Sequence, residues 1–431
     1  MIEVGASVQP LRIPSPVMMS GFAARTEPSI GEHDVLGARA LAMDETVLIT
    51  LDVCALEETT CSAIAEGTRP ESPDRVIVTA THTHAGPCST PTRLARCTPE
   101  IEQQLIHAAI TAGRAARDAR EPCEVELRQA HGVDVAKNRR HADRHVDPPV
   151  QLLRFIAAGN SDGADDTAVL DRESLKVREV ASLITYPCHP VVLDGTNRLL
   201  SGDYVHPLRR RLEAEHPGSV AVFATGCAGD LNTGHSAEAS YSLQATPTRT
   251  FEVADRVGTR IADAALAGEA RTVDVDRVAS TSAPVTLRID RPGPEQVAAD
   301  AESWTRARST ADPGEAALLD IWLDWARDLP EGDDWTGRVN ALSLGEVIVV
   351  TVPGEPFLEV AEQISAQVEG PCLVLGYADG CPGYFPTAGE YPYGGYEVED
   401  AHRYYGMSGP FAAGSAEILI QRAVESCRAL G

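Results

Sequence analysis

Short β-branched apolar runs alternate with amphipathic helical patterns along the sequence, and this alternation limits the chain to a few architectures. Apolar runs of strand length occupy residues 47–53, 75–80, 150–155, 181–186, 219–224 and 346–352. Helical patterns cover residues 99–119, 206–215, 249–267, 357–368 and 409–430. Because strands and helices alternate, the sequence predicts an α/β or α+β fold with mostly buried, mixed β-sheets flanked by helices.

Unusual polar residues follow five of the predicted strands. His82 and His84 come directly after the 75–80 run, and a His189-Pro190 pair follows the 181–186 run. Three further loops of this kind occupy residues 226–230, residues 353–355 and the residues after 373–377. In open α/β sheets, ligand sites form beyond the carboxyl ends of strands, so we expect these loops to build one pocket.

The histidine doublet lies in the segment Thr81-His82-Thr83-His84. In an extended chain alternate side chains share a face, so the two imidazoles are expected on the same side. Two convergent imidazoles at a strand end suit a metal ligand and a neighbouring acid/base group. The alternative is a solvated loop that contains two histidines without a chemical role.

The sequence offers a wider set of metal ligands at these strand ends: His82, His189, Glu355 and one tyrosine of the 384–391 segment. Imidazole and carboxylate are ordinary zinc ligands, and a zinc site with an open position generates a reactive water. Each residue alone has a simple structural explanation, such as a turn or a surface aromatic. Their joint placement is what predicts a zinc site.

Composition excludes several classes of partner. The formal net charge is −26, and lysine supplies only two of the 37 basic residues. Nucleic acids and anionic membrane surfaces require a concentrated positive face, so neither is an expected partner. No stretch reaches the roughly 18 to 20 apolar residues that cross a bilayer. The first residues show no secretory signal, so a cytoplasmic location is expected, without stable membrane insertion.

The ten cysteines form no Cys-x-x-Cys pair. Cys54, Cys188, Cys227 and Cys372 lie in or beside apolar runs, where a thiol is usually a small buried hydrophobe. A cytoplasmic location makes disulfides unexpected. The cysteines are therefore interpreted as mostly structural.

The order of these motifs resembles the neutral ceramidase family, whose members are zinc-dependent amidases that cleave the N-acyl bond of ceramide. The similarity also includes the opening segments 17–22 and 32–41. The resemblance implies one large catalytic domain over residues 1–431, similar to the N-terminal domain of the family's large enzymes. Residues 292–334 are the least supported part and are expected to be a helical insertion. The family's additional C-terminal β-sandwich domain is not expected.

The resemblance also assigns the metal ligands. It makes His82 and His189 the imidazole ligands of a zinc ion and Glu355 the carboxylate ligand. In the tyrosine-rich loop, the family's pattern aligns without a gap only when Tyr384 is the fourth ligand. The expected cofactor is therefore Zn²⁺.

Five further site residues follow from the same comparison. His84 becomes the acid/base group, Tyr396 a hydrogen-bond donor toward the reacting carbonyl, and Arg139 a charged group beside the site. Asp230 is either an orienting partner of a zinc-bound imidazole or an ordinary turn aspartate. Asn232 stands where the family has a substrate-contacting serine, and an amide offers a different set of donors and acceptors.

The predicted function is a zinc-dependent hydrolase that cleaves the amide bond of a small N-acyl compound by metal-activated water. The asparagine, the acidity and the lack of a membrane-contacting segment favour a substrate more polar than ceramide. Ester or lactone hydrolysis and the reverse, amide-forming acyl transfer are alternatives on the same site. A non-catalytic binding descendant is a third interpretation, and the retention of all four ligand types argues against it. The sequence leaves the oligomeric state open.

Overall fold

The computed structural model describes residues 1–93, 96–159, 178–236 and 242–430. Their strands are β1 (Ile2–Pro10), β2 (Gly31–Glu32), β3 (Gly37–Met43), β4 (Thr46–Leu51), β5 (Val76–Ala80), β6 (Glu121–Ala130), β7 (Lys137–Asn138), β8 (Val150–Ala157), β9 (Glu179–Tyr186), β10 (Leu199–Leu200), β11 (Val220–Thr225), β12 (Leu231–Asn232), β13 (Glu269–Val273), β14 (Val278–Arg288), β15 (Asp334–Leu344), β16 (Val347–Thr351), β17 (Glu355–Pro356), β18 (Cys372–Leu375) and β19 (Tyr384–Phe385).

Helices separate many of these strands. They are α1 (Glu58–Thr68), α2 (Pro99–Asp118), α3 (Val205–Glu215), α4 (Phe251–Ala267), α5 (Pro294–Arg308), α6 (Pro313–Arg327), α7 (Leu358–Ser365), α8 (Ala401–Tyr404) and α9 (Ser415–Arg428). Helix α2 begins where the sequence signals it, because Thr98 caps the helix by accepting from the Ile101 amide and proline follows at the first helical position.

Two mixed sheets form the centre of the fold. The larger sheet has the order β11-β9-β8-β6-β1-β3-β4-β5, with β13 also paired to β6. The smaller sheet has the order β14-β15-β16-β18. The pairs β4–β5, β9–β11 and β16–β18 are parallel, while the other neighbours in these two orders are antiparallel.

The two sheets pack face to face, with helices on both outer faces. Alternate residues of each strand point into different cores: in β4, Leu48 lies in the core between the sheets, while Val47 and Ile49 face the helix side. Helix α2 covers β1 and β3 of the large sheet, α3 and α4 cover its other half, and α7 and α9 cover the small sheet. The fold is therefore a four-layer α/β sandwich, which confirms the predicted fold class.

The carboxyl ends of strands from both sheets meet at one place. A bridge joins Gly226, just after β11, to Leu375 at the end of β18, and a second bridge joins Thr79 of β5 to Ala378. The loops after β5, β9, β11, β16 and β18 consequently lie together, as the sequence predicted from their unusual residues.

Helices α5 and α6 occupy the segment 292–334 and pack on α8. The Arg403 guanidinium lies over the rings of Trp304, Trp322 and Trp325, at 4.8, 4.7 and 5.7 Å from their centroids. These contacts fix α8, whose last residue is Tyr404, and Tyr405 after it. The segment is helical as expected, and its status as an insertion stays a prediction. Within the described residues, the helices are too short or too polar to cross a bilayer.

Candidate metal centre

His82 reaches the site through a tight backbone turn. Strand β5 ends at Ala80, and the amides of Thr81 and His82 donate to the carbonyls of Leu51 and Val53 at 2.9 and 3.0 Å. The backbone of His82 has φ +63°, in the left-handed region, which costs a non-glycine residue about 1–3 kcal/mol. The expectation of an extended His82–His84 segment is therefore wrong. The two imidazoles still converge, because this turn redirects the first of them.

Glu355 and Tyr384 lie side by side on two very short strands. Strands β17 and β19 are parallel, and Glu355 pairs in register with Tyr384. Gly354 before the glutamate has φ +63°, and a Cβ there would lie 2.4 Å from the Phe385 ring. Only glycine fits this turn, so the Pro-Gly-Glu sequence sets the position of the carboxylate.

His82, His189 and Glu355 converge on one point in the interior. Glu355 Oε2 lies 3.1 Å from His82 Nε2 and 2.9 Å from His189 Nε2. One ligand atom from each residue lies within 4.8 Å of the others, and the three residues are fully buried. The structure brings together three of the four residues predicted as metal ligands, and the fourth, Tyr384, is the neighbour of Glu355.

The hydrogen bonds of the two imidazoles fix which nitrogen carries the proton. His82 Nδ1 lies 2.6 Å from the Cys54 carbonyl, and His189 Nδ1 lies 2.7 Å from the Ala228 carbonyl. A carbonyl only accepts, so both Nδ1 atoms are donors, and each Nε2 of a neutral ring carries a lone pair. Three buried electron-pair donors therefore face one another, and a cation between them would offset their mutual repulsion. The residues present fit a metal ion.

The charge balance at this point is consistent with a cation site. Burial opposes ionisation of Glu355, but the nearby His82 and His189 hold the pKa of this carboxyl well below its usual range. Burial lowers the pKa of His82, yet the interactions with Glu355 and Cys54 together outweigh burial and raise the pKa to about 10. Burial, followed by the Arg139 charge, lowers the pKa of His189 to about 4. Protonated His82 is the cation when no metal is bound, and a bound metal replaces that proton.

Arg139 lies against Tyr384. Its Nη2 donates to the Tyr384 hydroxyl at 3.1 Å, and its guanidinium lies 5.5 Å from the centroid of the tyrosine ring. The Arg139 charge lowers the pKa of that phenol, although burial and the Glu355 charge outweigh it and leave the pKa well above the usual value. Tyr396 is half-buried, with its ring centroid 5.9 Å from that of Tyr384. The structure brings the three residues together beside the predicted ligands.

His84 lies beside the three ligands and has a separate environment. Its Nε2 lies 3.3 Å from His82 Nε2, and its Nδ1 is buried without a hydrogen-bond partner among the described residues. Burial and the neighbouring His82 lower the pKa of His84 well below its usual value. The imidazole is therefore neutral and its ring has a free electron pair, although the lowered pKa makes it a weaker base than an imidazole in water.

The segment 20–25 holds His84 from behind. The Phe22 ring meets the His84 ring edge-on at 5.0 Å, and Arg25 donates to the His84 carbonyl at 2.7 Å. Gly21 has φ +100°, and a Cβ there would lie 2.4 Å from His84 Cγ. These contacts show that residues 20–25 position His84. In the sequence, part of this segment had been noted only because residues 17–22 resemble the family's opening segment.

Two buried carboxylates, Glu390 and Glu397, attach the tyrosine loop to residues 138–141. Glu397 accepts from Arg139 Nε at 2.8 Å and from Arg140 Nη1 at 2.6 Å. Glu390 accepts from Arg140 Nε at 3.1 Å and lies 2.8 Å from His141 Nε2. Arg140 and His141 are therefore anchors of the loop, a role that the sequence did not indicate.

Asp230 and Asn232 make bonds different from those expected. The Asp230 carboxylate accepts from Asn138 Nδ2 and from the Leu358 amide, each at 2.8 Å, and these recorded partners include no imidazole. The Asn232 amide donates to the His235 carbonyl and accepts from the amides of Gly234 and His235. Asp230 therefore joins loops behind the site. Asn232 closes its own turn, and a substrate contact would require those bonds to open.

Sequence reasoning missed three residues at the centre. The Tyr405 hydroxyl donates to Glu355 Oε1. Tyr377 stacks on the His82 ring with centroids 4.3 Å apart. Cys54 places its thiol 3.8 Å from His82 Nδ1. The two tyrosines belong to a cluster of seven between 377 and 405, and only the folded loop determines which of them reach the metal ligands.

The fold of this chain has known examples among solved structures. The chain is similar to a crystal structure of neutral ceramidase from Pseudomonas aeruginosa, with a TM-score of 0.71 and 15% sequence identity, over 100% of this chain and 74% of that chain. A structure of ceramidase complexed with C2 gives the same TM-score and identity, over 100% and 75% of the two chains. No protein-family model and no curated protein matches the sequence. The chain therefore has the neutral ceramidase fold, as the resemblance predicted.

Proposed function

We propose that this protein is a zinc-dependent hydrolase that cleaves the C–N amide bond of a small N-acyl compound. The observation that carries the proposal is the convergence of His82 Nε2, His189 Nε2 and a Glu355 oxygen, all buried and all electron-pair donors. The similarity to ceramidase structures supports amide hydrolysis as the reaction.

His82, His189, Glu355 and Tyr384 would hold the zinc ion. Two imidazoles, a carboxylate and a phenol are oxygen and nitrogen donors that suit Zn²⁺. A bound zinc ion supplies a Lewis acid and lowers the pKa of a coordinated water toward neutrality. Arg139 supports this set, because its bond to the Tyr384 hydroxyl favours negative charge on the phenol oxygen.

His84 would move the proton. Its neutral imidazole accepts a proton at Nε2 from the attacking water and returns it to the nitrogen of the departing amine. The amine cannot leave as an anion at neutral pH, so this return is required for C–N cleavage. The Phe22 ring contacts the His84 imidazole, and Arg25 holds the His84 backbone carbonyl, so both contacts restrict movement of this residue.

Arg139 and Tyr396 would stabilise the negative charge that develops on the carbonyl oxygen. Both lie against Tyr384 at the edge of the ligand set. A donor aimed at a developing oxyanion in a water-poor site contributes about 3 kcal/mol to lowering the barrier. The Glu397 bond keeps Arg139 in place.

The proposed substrate is more polar than ceramide. Asn232 replaces a small hydroxyl side chain expected from the resemblance, and the chain carries a formal charge of −26. A surface of that charge is repelled by anionic bilayers, which disfavours extraction of a substrate from a membrane. N-acyl amino acids and N-acyl amines fit these features better than a sphingolipid.

Metal analysis combined with a hydrolysis screen tests the proposal. The screen compares N-acyl amino acids, N-acyl amines, lactones and short-chain ceramides with zinc-loaded protein. We expect about one zinc per chain, and less in each of H82A, H189A and E355A, while H107A on the exposed side of α2 keeps it. Wild-type zinc content in the three ligand variants, or no hydrolysis of any amide, would overturn the proposal.

Variants of Tyr384 and Tyr396 distinguish the proposed metal ligand from the proposed hydrogen-bond donor to the substrate. We expect Y384F to weaken zinc binding, because the variant loses the ligand oxygen. Y396F should retain zinc and lower kcat, because its hydroxyl acts on the substrate. Zinc loss in Y396F alone would reverse the two assignments.

A further inference from the structure

A pocket of about 270 Å³ lies between α7 and the ends of strands β9 and β11. Ligand sites in proteins begin at roughly 300 Å³, so the pocket suits a small molecule. Apolar side chains make up much of its wall: Pro148, Pro149, Pro187, Leu358, Ala361 and Val374. Among the described residues that line it, none is assigned above to metal binding, proton transfer or oxyanion stabilisation. The pocket is therefore separate from the proposed hydrolytic site.

Thr185 contributes a polar atom to the floor of this pocket. The residue lines the pocket from the end of β9 and is only 3% exposed. Its hydroxyl is buried and has no hydrogen-bond partner among the described residues. Buried hydroxyls are normally hydrogen-bonded, and an unpaired one costs free energy. A ligand group that bonds to this oxygen would remove that cost. Because the surrounding wall is apolar, the group that fits there is uncharged.

The mouth of the pocket carries negative charge. Asp147 and Glu362 line it and are exposed, and the described residues place no arginine or lysine within ion-pair distance of either carboxylate. His131 is the basic residue at the mouth, and its Nδ1 lies 3.8 Å from Asp147 Oδ2. Two carboxylates beside one histidine favour a cationic ligand group over an anionic one.

Glu362 stands on the α7 side of the mouth. Burial, followed by the Glu359 charge, raises the pKa of this carboxyl above its usual value, although the Arg144 charge opposes the shift. The Arg144 guanidinium is itself paired with Glu390 at 3.2 Å. A cationic ligand group beside Glu362 would stabilise the ionised carboxylate. Glu362 is therefore the group expected to hold the cationic end of a ligand.

We propose that this pocket binds a short linear alkylammonium compound that carries an uncharged hydrogen-bonding group at its other end. The ammonium group lies at the mouth against Glu362, and the alkyl chain contacts the proline and leucine side chains of the wall. The distal group bonds to the Thr185 hydroxyl. Binding requires neither a metal ion nor hydrolysis, because the metal centre contributes no residue to the pocket.

Ligand-observed NMR with three probes of equal chain length tests the proposal. Aminopentanol has both terminal groups, pentylamine lacks the hydroxyl, and pentanediol lacks the ammonium group. Dissociation constants are compared for wild type, T185V, E362Q and two controls, S182A and E369Q. Ser182 also has a buried hydroxyl without a partner among the described residues, and Glu369 is an exposed glutamate, but neither lines the pocket.

We expect aminopentanol to bind wild type, S182A and E369Q equally. T185V should weaken aminopentanol about fivefold, the effect of one lost hydrogen bond, and leave pentylamine unchanged. E362Q should weaken aminopentanol and pentylamine about fivefold, the upper range for an exposed charge pair, and leave pentanediol unchanged. An aminopentanol affinity that stays at the wild-type value in either T185V or E362Q would overturn the proposal.

The stability of T185V provides the second measurement. Valine has the shape of threonine and lacks the unpaired hydroxyl, so the melting temperature of T185V without ligand should equal or exceed that of wild type. A clear decrease would show that the hydroxyl serves the fold and would contradict the proposal. Loss of aminopentanol binding in H82A would place the probe at the metal centre and would contradict it as well. Failure of the hydrolase proposal leaves all these affinities unchanged, so the two failures are distinguishable.

Discussion

His84 lies 3.3 Å from a metal-binding nitrogen, yet the proposed zinc ligands do not include it. We expect H84A to keep its zinc and to lose about 10²- to 10⁴-fold in kcat, the range for removal of a general acid/base. The measurement is kcat on the best amide from the screen together with zinc content, with H107A as the exposed-histidine control. Undiminished turnover of an amide with a poor leaving group would exclude the role in proton transfer.

Gly21 shows how a residue without a side chain can position a reacting group. In G21A the new methyl group would occupy the space of the His84 ring, so the imidazole must move. A displacement of order 1 Å costs about 10²-fold in rate, so we expect zinc to be retained and kcat to fall by about that factor.

G218A is the matched control for this substitution. Gly218 has φ +95°, close to the +100° of Gly21, but a Cβ there meets nothing within 4 Å. The left-handed backbone should cost both variants about 1–3 kcal/mol of unfolding free energy, and the displaced His84 ring adds a further loss in G21A only. Equal kcat values in G21A and G218A would mean that Gly21 is needed only for its backbone conformation and does not position His84.

At the scale of elements, the tyrosine loop depends on its attachment to the 138–141 segment. The Arg140 side chain donates to Glu390, Glu397 and the Gly394 carbonyl from a buried position. We expect R140A to destabilise the protein by about 3 kcal/mol, because two carboxylates lose a buried partner. Hydrogen exchange should accelerate most within residues 386–400.

Arg210 provides a control for the loss of an arginine. Its pair with Asp255 is exposed on both sides, and such pairs contribute less than about 1 kcal/mol. R210A should therefore leave both the unfolding free energy and the exchange of residues 386–400 almost unchanged. Uniform exchange changes across the fold in R140A would show that Arg140 supports the whole domain and not the loop.

The elements also show what the sequence could and could not predict. Short apolar runs such as 181–186 predict the strands, and the polar residues after them indicate the edge where the site forms. The left-handed backbone of His82 and the anchoring role of Arg140 were not predictable in this way. Both depend on contacts between segments more than 25 residues apart, which periodicity along the chain does not contain.

For the molecule as a whole, His402 makes stability depend on pH. Burial and the nearby Arg403 charge lower its pKa to about 3. The unfolded chain binds a proton near pH 6.5 while the folded protein does not, so stability falls as pH decreases from 6.5 toward 3. The loss reaches about 2 kcal/mol at pH 5.

The variant H402F removes this titration and keeps an aromatic ring beside Trp325, whose centroid lies 5.1 Å from the histidine. Urea unfolding at pH 7 and pH 5 should show a decrease in wild type that is about 2 kcal/mol larger than in H402F. H107F changes an exposed histidine, so its unfolding free energy should decrease with pH by the same amount as that of the wild type. If the unfolding free energies of wild type and H402F decreased equally between pH 7 and pH 5, a group other than His402 would cause the loss of stability in acid.

The proposed ligands are distributed over the chain from His82 to Tyr384, and this spacing determines when the ion can be acquired. During synthesis, a ribosome must add some 300 residues after the first ligand before the last one is made. Neither an emerging nor a proteolytically shortened chain that lacks either end of this span can assemble the complete ligand set. The proposed ion can therefore meet its complete ligand set only after the chain has been made through Tyr384.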